Sequence, residues 1–337
     1  MTYIGIDVSK DSFVAAYPSK SGYSTKSFLN TTSGVRRFIQ SLPVESHCVM
    51  EATGNFSMLL LYLLQKANIL VSMENPQKIK NFSRAMLSVT KTDEIDAKLI
   101  AMYGEKMNPA PYKIPSESII LLKQKRTVLR QLKKQLTMMT NLQHSLSVLP
   151  KQDPTAKVAT EQTVKFLRKQ ISKMEEEITN LSNKEFKRQM ELLTSIKGIG
   201  KNIASALIIA TGGFTYFSSA KQISRFLGLC PTYQQSGTSV NVKGHINRNG
   251  DTHLRSQLYV IAFASIRSNS SCKEMYERLR ARGKSGKVAI IAVANKLIRQ
   301  AFAVVTNNRP YIDGYVSTLV SYTEIGLLIK RIKSVKF

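Results

Sequence analysis

The sequence predicts an α/β domain followed by a longer α-rich region. Up to about residue 115, short β-rich runs alternate with helix-like segments, whereas long helical patterns dominate afterwards. The charge divides at the same place. Residues 1–115 hold 13 basic and 9 acidic residues, a net charge of +4, and residues 116–337 hold 36 basic and 13 acidic residues, a net charge of +23. A chain of 337 residues is long enough for two or three folded units.

Residues 1–115 are predicted to form a mixed sheet with helices packed on it. Three runs are expected to pair as an antiparallel meander of strands, namely YIGIDV at 3–8, SFVAAY at 12–17 and TKSFL at 25–29. Predicted helices at 33–42 and 55–67 then alternate with predicted strands at 47–53 and 69–75. Three strands followed by an αβαβ order is typical of the ribonuclease-H-like fold.

Residues 116–189 carry apolar side chains at heptad spacing on both sides of the break LPKQDPTAK. Gln143 fills one a position of the first run. The pattern predicts an antiparallel coiled-coil hairpin, or one arm of a dimer. The predicted seam consists of Leu129, Leu132, Leu136, Met139 and Leu146 in the first helix and Val164, Leu167, Ile171, Met174, Ile178 and Leu181 in the second.

Residues 190–310 are predicted to form a second, α-rich domain, and residues 311–337 a basic C-terminal tail. The stretch SIKGIGKNIASAL predicts two short helices around a GIG turn, which resembles a helix-hairpin-helix element. Backbone N–H groups of such a turn could bind DNA phosphate, and Lys197 and Lys201 would add positive charge. A plain corner between two helices is the alternative.

The overall charge of +27 favours a polyanionic partner, most often nucleic acid, over a merely basic surface. The cysteines Cys48, Cys230 and Cys272 are far apart and odd in number, which is typical of a reduced cytosolic protein. We find no continuous apolar run of membrane-spanning length and no signal-peptide pattern. We therefore expect a protein of the cytoplasm.

Four carboxylates are candidates for a metal site. Asp7 and Glu51 interrupt apolar strands, where an unpaired charge would be costly. Asp93 and Asp96 in KTDEIDAKLIA lie three residues apart, which places both on one face of a helix. If they converge at one edge of the sheet, the four could hold two Mg²⁺ ions, or Mn²⁺ in their place, and so support phosphodiester cleavage. Asp93 and Asp96 could instead be solvated charges in a first helical turn.

A second candidate group lies in CPTYQQSGTSVNVKGHINRNGDTHLR, residues 230–255, which is polar, rich in glycine and basic. A serine hydroxyl, Ser236 or Ser239, could attack a DNA phosphate there while neighbouring cations stabilise the transferring phosphoryl group. Tyr233 and Tyr259 are competing nucleophiles in principle. An ordinary DNA-binding loop is the alternative. The candidate cations are Lys243, His245, Arg248 and Arg255.

The motifs GIDVSKD, EATGN, KTDEIDAKLIA and LGLCPTYQQSGTSVNVKGHINRNGDTHLR together resemble the insertion-sequence 110 transposases, which are similar to the Piv-type DNA invertases. The resemblance implies a RuvC-like domain with a DEDD metal site, a coiled-coil insertion and a C-terminal transposase domain with a catalytic serine. The acids of that site fall on Asp7, Glu51, Asp93 and Asp96. The serine, which forms a covalent link to DNA, is best matched by Ser236, with Ser239 as the less favoured position. The resemblance also implies a structured noncoding bridge RNA that pairs with donor and target DNA.

The leading hypothesis is a site-specific DNA recombinase whose metal site and serine come from separate domains, so that a dimer assembles into a tetramer on two DNA duplexes. A metal-dependent nuclease of the Holliday-junction type, which uses water, is the first alternative. A noncatalytic nucleic-acid-binding protein is the second. GIDVS also resembles the first phosphate loop of sugar-kinase-like ATPases, but the further glycine-rich loops of that fold are not apparent.

Overall fold

The structure is a computed structural model that describes residues 1–87, 90–236, 240–246 and 250–314, with the backbone alone for 232–236 and 240–245. The chain divides into two compact units. The first unit is Met1–Ile114 and the second unit begins at Pro115.

The first unit is built on a five-stranded mixed sheet. Its strands are β1 (Thr2–Val8), β2 (Ser12–Ser19), β3 (Gly22–Leu29), β4 (Ser46–Glu51) and β5 (Leu70–Glu74). The spatial order is β3-β2-β1-β4-β5. Strands β1, β2 and β3 pair antiparallel, whereas β1, β4 and β5 run parallel. The predicted meander and the mixed sheet are therefore confirmed. The third strand begins three residues earlier than predicted, and the fourth ends at Glu51 rather than at residue 53.

Four helices accompany this sheet: α1 (Thr32–Gln40), α2 (Met58–Lys66), α3 (Pro76–Ala85) and α4 (Asp93–Met107). A short 3₁₀ turn, Gly54–Ser57, leads into α2. Side-chain caps begin three of the helices and satisfy N–H groups that lack an intrahelical partner. Thr31 caps α1, Asn75 caps α3 and Thr92 caps α4.

The two faces of β1 meet different layers, because successive side chains on a strand point to opposite sides. Ile4, Ile6 and Val8 are buried in a cluster that includes side chains of α1 and α2. On the opposite face lies α4, whose Ala97 and Ala101 are fully buried. The sheet is therefore covered on both sides.

The second unit begins with two long helices, α5 (Glu117–Ser147) and α6 (Pro154–Glu185), which pack against each other. Their antiparallel direction follows from two cross-helix ion pairs. Lys133 Nζ lies 2.5 Å from Glu175 Oε1, and Lys125 pairs with Glu177. Every apolar position of the predicted seam is buried or half-buried, and so is Gln143. The heptad pattern therefore identified the faces on which the two helices meet.

The remainder of the second unit is mainly helical and encloses the larger apolar core of the chain. Its helices are α7 (Lys187–Thr194), α8 (Lys201–Thr211), α9 (Ala220–Phe226), α10 (Thr252–Ser268), α11 (Ser270–Ala281) and α12 (Gly286–Thr306). The predicted pair of short helices around the GIG turn corresponds to α7 and α8. Gly198 in that turn has a φ of +104°, and a Cβ there would lie 1.9 Å from Ser265 Oγ, so glycine is required by both conformation and space.

A two-stranded antiparallel sheet, β6 (Pro231–Ser236) and β7 (Val240–Ile246), lies between α9 and α10 in sequence. The sequence predicts no strand in this polar segment. The reason is visible afterwards in VNVKGHI, where Val240, Val242 and Ile246 alternate with polar residues at the strand period of two. The abundance of glycine and polar residues concealed this short alternation.

Helix α12 contradicts the statement from the sequence that no apolar run has membrane-spanning length. Its 21 residues are long and apolar enough to cross a membrane by length and composition. Nine of them are buried within the second unit, and Val293, Ala294, Leu297 and Ile298 are fully enclosed. The structure therefore uses α12 as a core helix of this unit.

Candidate active site

Two of the predicted acids lie side by side at the carboxyl ends of neighbouring strands. Ile6 of β1 pairs with Met50 of β4, and Asp7 and Glu51 are the next residues along these parallel strands. Asp7 shares a face of β1 with Gly5, and Glu51 shares a face of β4 with Val49. Gly5 and Val49 both contact α4. Asp7 and Glu51 therefore lie on the α4 side of the sheet.

The other two acids are brought to the same place by the direction of α4. A Cβ added to Gly5 would meet Ala97 and Ala101, and a Cβ added to Gly104 would meet Tyr3. The helix therefore runs antiparallel to β1, and its first turn lies near the end of the strand that carries Asp7. That first turn contains Asp93, Glu94 and Asp96. Thr92 fixes its start by accepting a hydrogen bond from Ile95 N at 3.3 Å.

The electrostatics of Asp7 reflect this gathering of negative charge. Burial, followed by the nearby carboxylates of Asp93, Asp96 and Glu51, raises the pKa of Asp7 from 3.8 to about 6. Both effects disfavour the ionised form, the first by desolvation and the second by repulsion between like charges. We refer to Asp7, Glu51, Asp93 and Asp96 as the four-acid group. Its members interact although they are up to 89 residues apart in sequence.

Lys91 also belongs to this environment, although it was not among the residues predicted from the sequence. Its positive charge opposes the rise in the pKa of Asp7, Glu51 and Asp96. Burial is the largest cause that raises the pKa of Glu51 and of Asp96. The signal that could have found Lys91 is its position two residues before Asp93, in the segment that enters α4.

A fifth acid, Glu74, is aligned with Glu51 across β4 and β5 but has a different partner. Its carboxylate forms an ion pair with Lys78 Nζ at 2.7 Å, one helical turn into α3. This ion pair distinguishes Glu74 from the four-acid group, whose carboxylates have none among the described residues.

The four-acid group offers the ligand type that hard divalent cations prefer, because all its donors are carboxylate oxygens. Burial, and then the neighbouring carboxylates, raise the pKa of Asp7, and a bound cation would offset both effects by stabilising its ionised form. The spacing is more open than a closed coordination sphere. Within the described ranges, no three Asp, Glu, His or Cys side chains lie close enough together to hold one ion. The residue types therefore fit a divalent cation, and binding would require the carboxylates to draw together.

The remaining predicted residues belong to the second unit. Ser236 is the last residue of β6, where its backbone pairs with Val240 of β7. Lys243 and His245 lie on β7. Ser239 and Arg248 lie outside the described residues. The favoured nucleophile position, Ser236, is thus the final residue of β6.

Three predicted basic residues lie in or between helices of the second unit. Lys201 is the exposed first residue of α8. Lys197 precedes the GIG turn and forms an ion pair with Asp313 at 3.0 Å. Arg255 lies in the first turn of α10 and donates to Leu227 O at 3.3 Å. Because Gly198 contacts Ser265, ten residues further along α10, Lys197 and Arg255 are on the order of 15 Å apart along that helix.

Comparison with known proteins identifies the family. A transposase family model of the DEDD IS110 type matches residues 4–149, which include the whole four-acid group. A second model, described as the transposase IS116/IS110/IS902 family, matches residues 190–277, which include the β6–β7 hairpin.

Individual proteins agree with these matches. The pilin gene-inverting protein of Moraxella bovis is 32% identical over 323 residues, covering 92% of this chain and 97% of that protein. An uncharacterised 43.6 kDa protein of insertion element IS110 from Streptomyces coelicolor is 32% identical over 120 residues, covering 36% of this chain and 29% of that protein.

Among solved structures, RuvC of T. thermophilus in complex with a Holliday junction substrate matches with 12% identity and a TM-score of 0.25. The match covers 33% of this chain and 99% of that one. A TM-score this low does not indicate a shared fold. The family models and the near full-length match to the inverting protein do agree with each other, and the chain belongs to the IS110/IS116/IS902 family of transposases, enzymes that recombine DNA.

Proposed function

We propose that this protein is a site-specific DNA recombinase that cuts and rejoins strands through a serine nucleophile supported by the four-acid group. One observation carries the proposal. Asp7, Glu51, Asp93 and Asp96 lie near the carboxyl ends of β1 and β4, and the pKa of Asp7 is raised to about 6. The strand order β3-β2-β1-β4-β5, with a helix between β4 and β5, supports a ribonuclease-H-like fold for the first unit.

In this proposal the four-acid group holds the metal ions. Asp7 and Glu51, on strands, provide fixed positions, whereas Asp93 and Asp96 approach from a helix that is packed on the same strand. A pair of Mg²⁺ ions held by these carboxylates would supply charge neutralisation for the attacking and leaving oxygens of a phosphodiester. Lys91 lies close enough to influence three of the acids, and it would partly screen the site before any cation binds.

The chemical step is a phosphoryl transfer to serine. The Oγ of Ser236 attacks the scissile phosphorus, a serine–phosphate ester forms, and the bond from phosphorus to one sugar oxygen breaks. The serine gives up its hydroxyl proton, and the departing sugar oxygen takes up one. A sugar hydroxyl of the partner strand then displaces Ser236 and restores a phosphodiester. Because the serine–phosphate ester retains the free energy of the broken phosphodiester bond, rejoining requires no external energy source.

The segment around Ser236 supports this assignment. The second family model spans it, and its basic residues Lys243 and His245 lie on the adjacent strand β7. Since Ser236 belongs to the second unit and the four-acid group to the first, the complete site would join two units, in one protomer or across two. A dimer that assembles into a tetramer on two duplexes would provide both arrangements.

We further propose that a structured noncoding RNA guides the enzyme by pairing with donor and target DNA. The net charge of +23 on residues 116–337 is sufficient to attract both nucleic acids, because the electrostatic attraction does not depend on base sequence. Sequencing the RNA that copurifies with the protein tests this step. A discrete RNA encoded beside the gene supports it, and a random sample of cellular RNA contradicts it while leaving the recombination chemistry intact.

The nucleophile is tested with Ser236→Ala, with Ser239→Ala as the matched control and Asp7→Asn as the metal-site variant. We expect Ser236→Ala to lose both strand cleavage and the covalent protein–DNA adduct, measured by denaturing gel electrophoresis of labelled DNA. Ser239→Ala should retain both. Cleavage without an adduct in Ser236→Ala would instead indicate a nuclease that uses water. Normal recombination by Asp7→Asn would remove the role proposed for the four-acid group.

A further inference from the structure

The second unit contains a basic pocket that the recombination chemistry does not use. It lies where the α5–α6 hairpin meets α8 and α10, and its volume is about 70 Å³. This volume accommodates several waters or one tetrahedral anion. Its polar lining consists of Arg126, Arg130, Lys133, Glu175, Asn202, His253 and Gln257.

Arg126 is the most unusual residue in this basic pocket. Both of its terminal nitrogens, Nη1 and Nη2, are buried and have no hydrogen-bond partner among the described residues. Asp251 Oδ2 is 3.8 Å from Nη2, which is too far for a hydrogen bond. The other oxygen of Asp251 accepts from Leu254 N at 3.0 Å and so caps α10. A buried guanidinium normally binds an acceptor, so the donors of Arg126 are available to a ligand.

The charges that line the basic pocket are mainly positive. Arg126, Arg130 and Lys133 contribute three positive charges, and the one lining carboxylate, Glu175, pairs with Lys133 at 2.5 Å. His253 lies beside them in the lining. Burial, and then the neighbouring cation Arg126, lower the pKa of His253. Burial is also the main reason that the pKa of Arg126 is lowered, Asp251 opposes this shift, and repulsion from Arg130 adds to it. Desolvation and like-charge repulsion together favour an anion in the basic pocket.

Neutral donors complete the lining. Asn202 on α8 and Gln257 on α10 each carry a side-chain amide, and the Oε1 of Gln257 is buried without a partner among the described residues. Since amide oxygen and nitrogen positions are assigned from their surroundings, a rotated Gln257 would present its NH₂ group to a bound anion. Water molecules could fill the space but would leave the pocket with more positive than negative charge.

We propose that the basic pocket binds a phosphate group, either a backbone phosphate of bound nucleic acid or free phosphate. A guanidinium is suited to this ligand because its planar N–H groups match two phosphate oxygens. The position of the pocket, at the base of the long hairpin in the half of the chain with a charge of +23, is compatible with a nucleic-acid backbone that crosses this junction. The inference does not depend on Ser236 being the nucleophile or on an RNA guide.

The first experiment measures thermal unfolding of the full chain in inorganic phosphate and in chloride at equal ionic strength. Phosphate at 100 times its Kd should raise the Tm of the wild type by about 5 °C relative to chloride. Arg126→Met should abolish this difference. The matched control Arg168→Met removes one exposed charge from the same hairpin, outside the basic pocket, and should retain it.

The Tm of the phosphate-free protein provides a second measurement, which distinguishes a ligand-binding role of Arg126 from a purely structural one. Because Arg126 is buried beside other cations, Arg126→Met should not lower the Tm in phosphate-free buffer, whereas a purely structural ion pair with Asp251 would make the variant less stable. If Arg126→Met folds poorly, Arg130→Met provides the same comparison from the mouth of the pocket. A wild type that responds equally to phosphate and chloride overturns the proposal, and so does an Arg126→Met variant that keeps the full phosphate effect.

The source of the phosphate is decided by competition. Bound inorganic phosphate is observed by ³¹P NMR while a short DNA or RNA oligonucleotide is added. Displacement of phosphate, together with an oligonucleotide Kd at least tenfold weaker in Arg126→Met than in Arg168→Met, assigns the pocket to a nucleic-acid backbone. Simultaneous binding of both ligands assigns it to free phosphate.

Discussion

Gly5 of β1 lies directly against the backbone of Ala101 in α4, and a Cβ on Gly5 would be 2.1 Å from Ala101 N. The same Cβ would be 2.2 Å from Ala97 O, so two backbone atoms of the helix border this position. The strand and the helix can approach this closely only because residue 5 has no side chain. Asp7 and the first turn of α4 are thereby held at one end of the sheet.

We expect Gly5→Ala to separate α4 from β1, because a methyl group cannot be accommodated against backbone atoms that belong to a packed helix. The free energy of unfolding should fall by about 3 kcal/mol, measured by urea denaturation. Gly286→Ala is the control, since its Cβ would have 3.8 Å to its nearest neighbour, the Tyr276 hydroxyl oxygen, and alanine favours a helix. A Gly5→Ala protein of unchanged stability would disprove the close contact.

The raised pKa of Asp7 makes stability depend on pH. The folded-state pKa of about 6 exceeds the unfolded value of 3.8, so the folded protein binds more protons between these values. Without divalent cations, stability should therefore fall as pH rises from about 4 to 6 and remain low above that. The pKa difference sets an upper limit of about 3 kcal/mol, and partial solvent exposure reduces the expected effect to about 1 to 2 kcal/mol.

Asp7→Asn should remove most of this pH dependence and stabilise the metal-free protein at pH 8. Adding Mg²⁺ at pH 8 should stabilise the wild type more than Asp7→Asn, because the cation relieves the repulsion that the variant already lacks. Thermal unfolding at pH 5 and pH 8, with and without Mg²⁺, measures both effects. Asp11→Asn, also near the start of the chain, is the control and should behave as the wild type.

Lys91→Met should raise the pKa of Asp7 further, because Lys91 is a cation that opposes protonation of the acids. Carboxyl carbon chemical shifts, recorded by NMR during a pH titration of the metal-free protein, measure this pKa. Lys106→Met removes an equally exposed charge from the far end of α4 and should leave the Asp7 titration unchanged. An unchanged pKa in Lys91→Met would place Lys91 too far away to influence the acids.

The α5–α6 hairpin should depend on its apolar seam more than on its ion pairs. Leu167 is 5% exposed, and Leu167→Ala should lower the free energy of unfolding by about 2 to 3 kcal/mol. Glu175→Gln removes the partner of Lys133 from a partly exposed pair and should cost less than about 1 kcal/mol. Urea denaturation of the two variants ranks them, and the reverse order would mean that the ion pairs determine hairpin stability.

Much of the fold follows from local pattern. The strands of the meander, the order of elements that follows it and the faces on which α5 and α6 meet all arise from periods of two or seven in apolar residues, and the sequence displays these periods directly. The proximity of Asp7 to Asp93 was predictable for a different reason. The resemblance to the insertion-sequence 110 transposases implied one metal site for both residues, whereas helical spacing alone left Asp93 and Asp96 open as solvated charges.

Three features could not be obtained in this way. The role of Gly5 depends on which helix packs over β1, and a single glycine carries no information about its neighbours. The burial of Arg126 depends on how the hairpin meets α8 and α10, whereas its sequence context is that of an exposed charged helix. The β6–β7 hairpin was hidden because its alternation is short and mostly polar.

Because the two parts of the chain differ in net charge, they should respond to different cations in vitro. When nucleic acid binds to residues 116–337, whose net charge is +23, most of the counterions condensed on the nucleic acid should be released. Monovalent salt should therefore weaken nucleic-acid binding mainly through this part of the chain. Residues 1–115, with +4 and the four-acid group, should respond instead to the concentration of divalent cation. Varying the potassium and magnesium concentrations independently would therefore separate DNA binding from DNA cleavage.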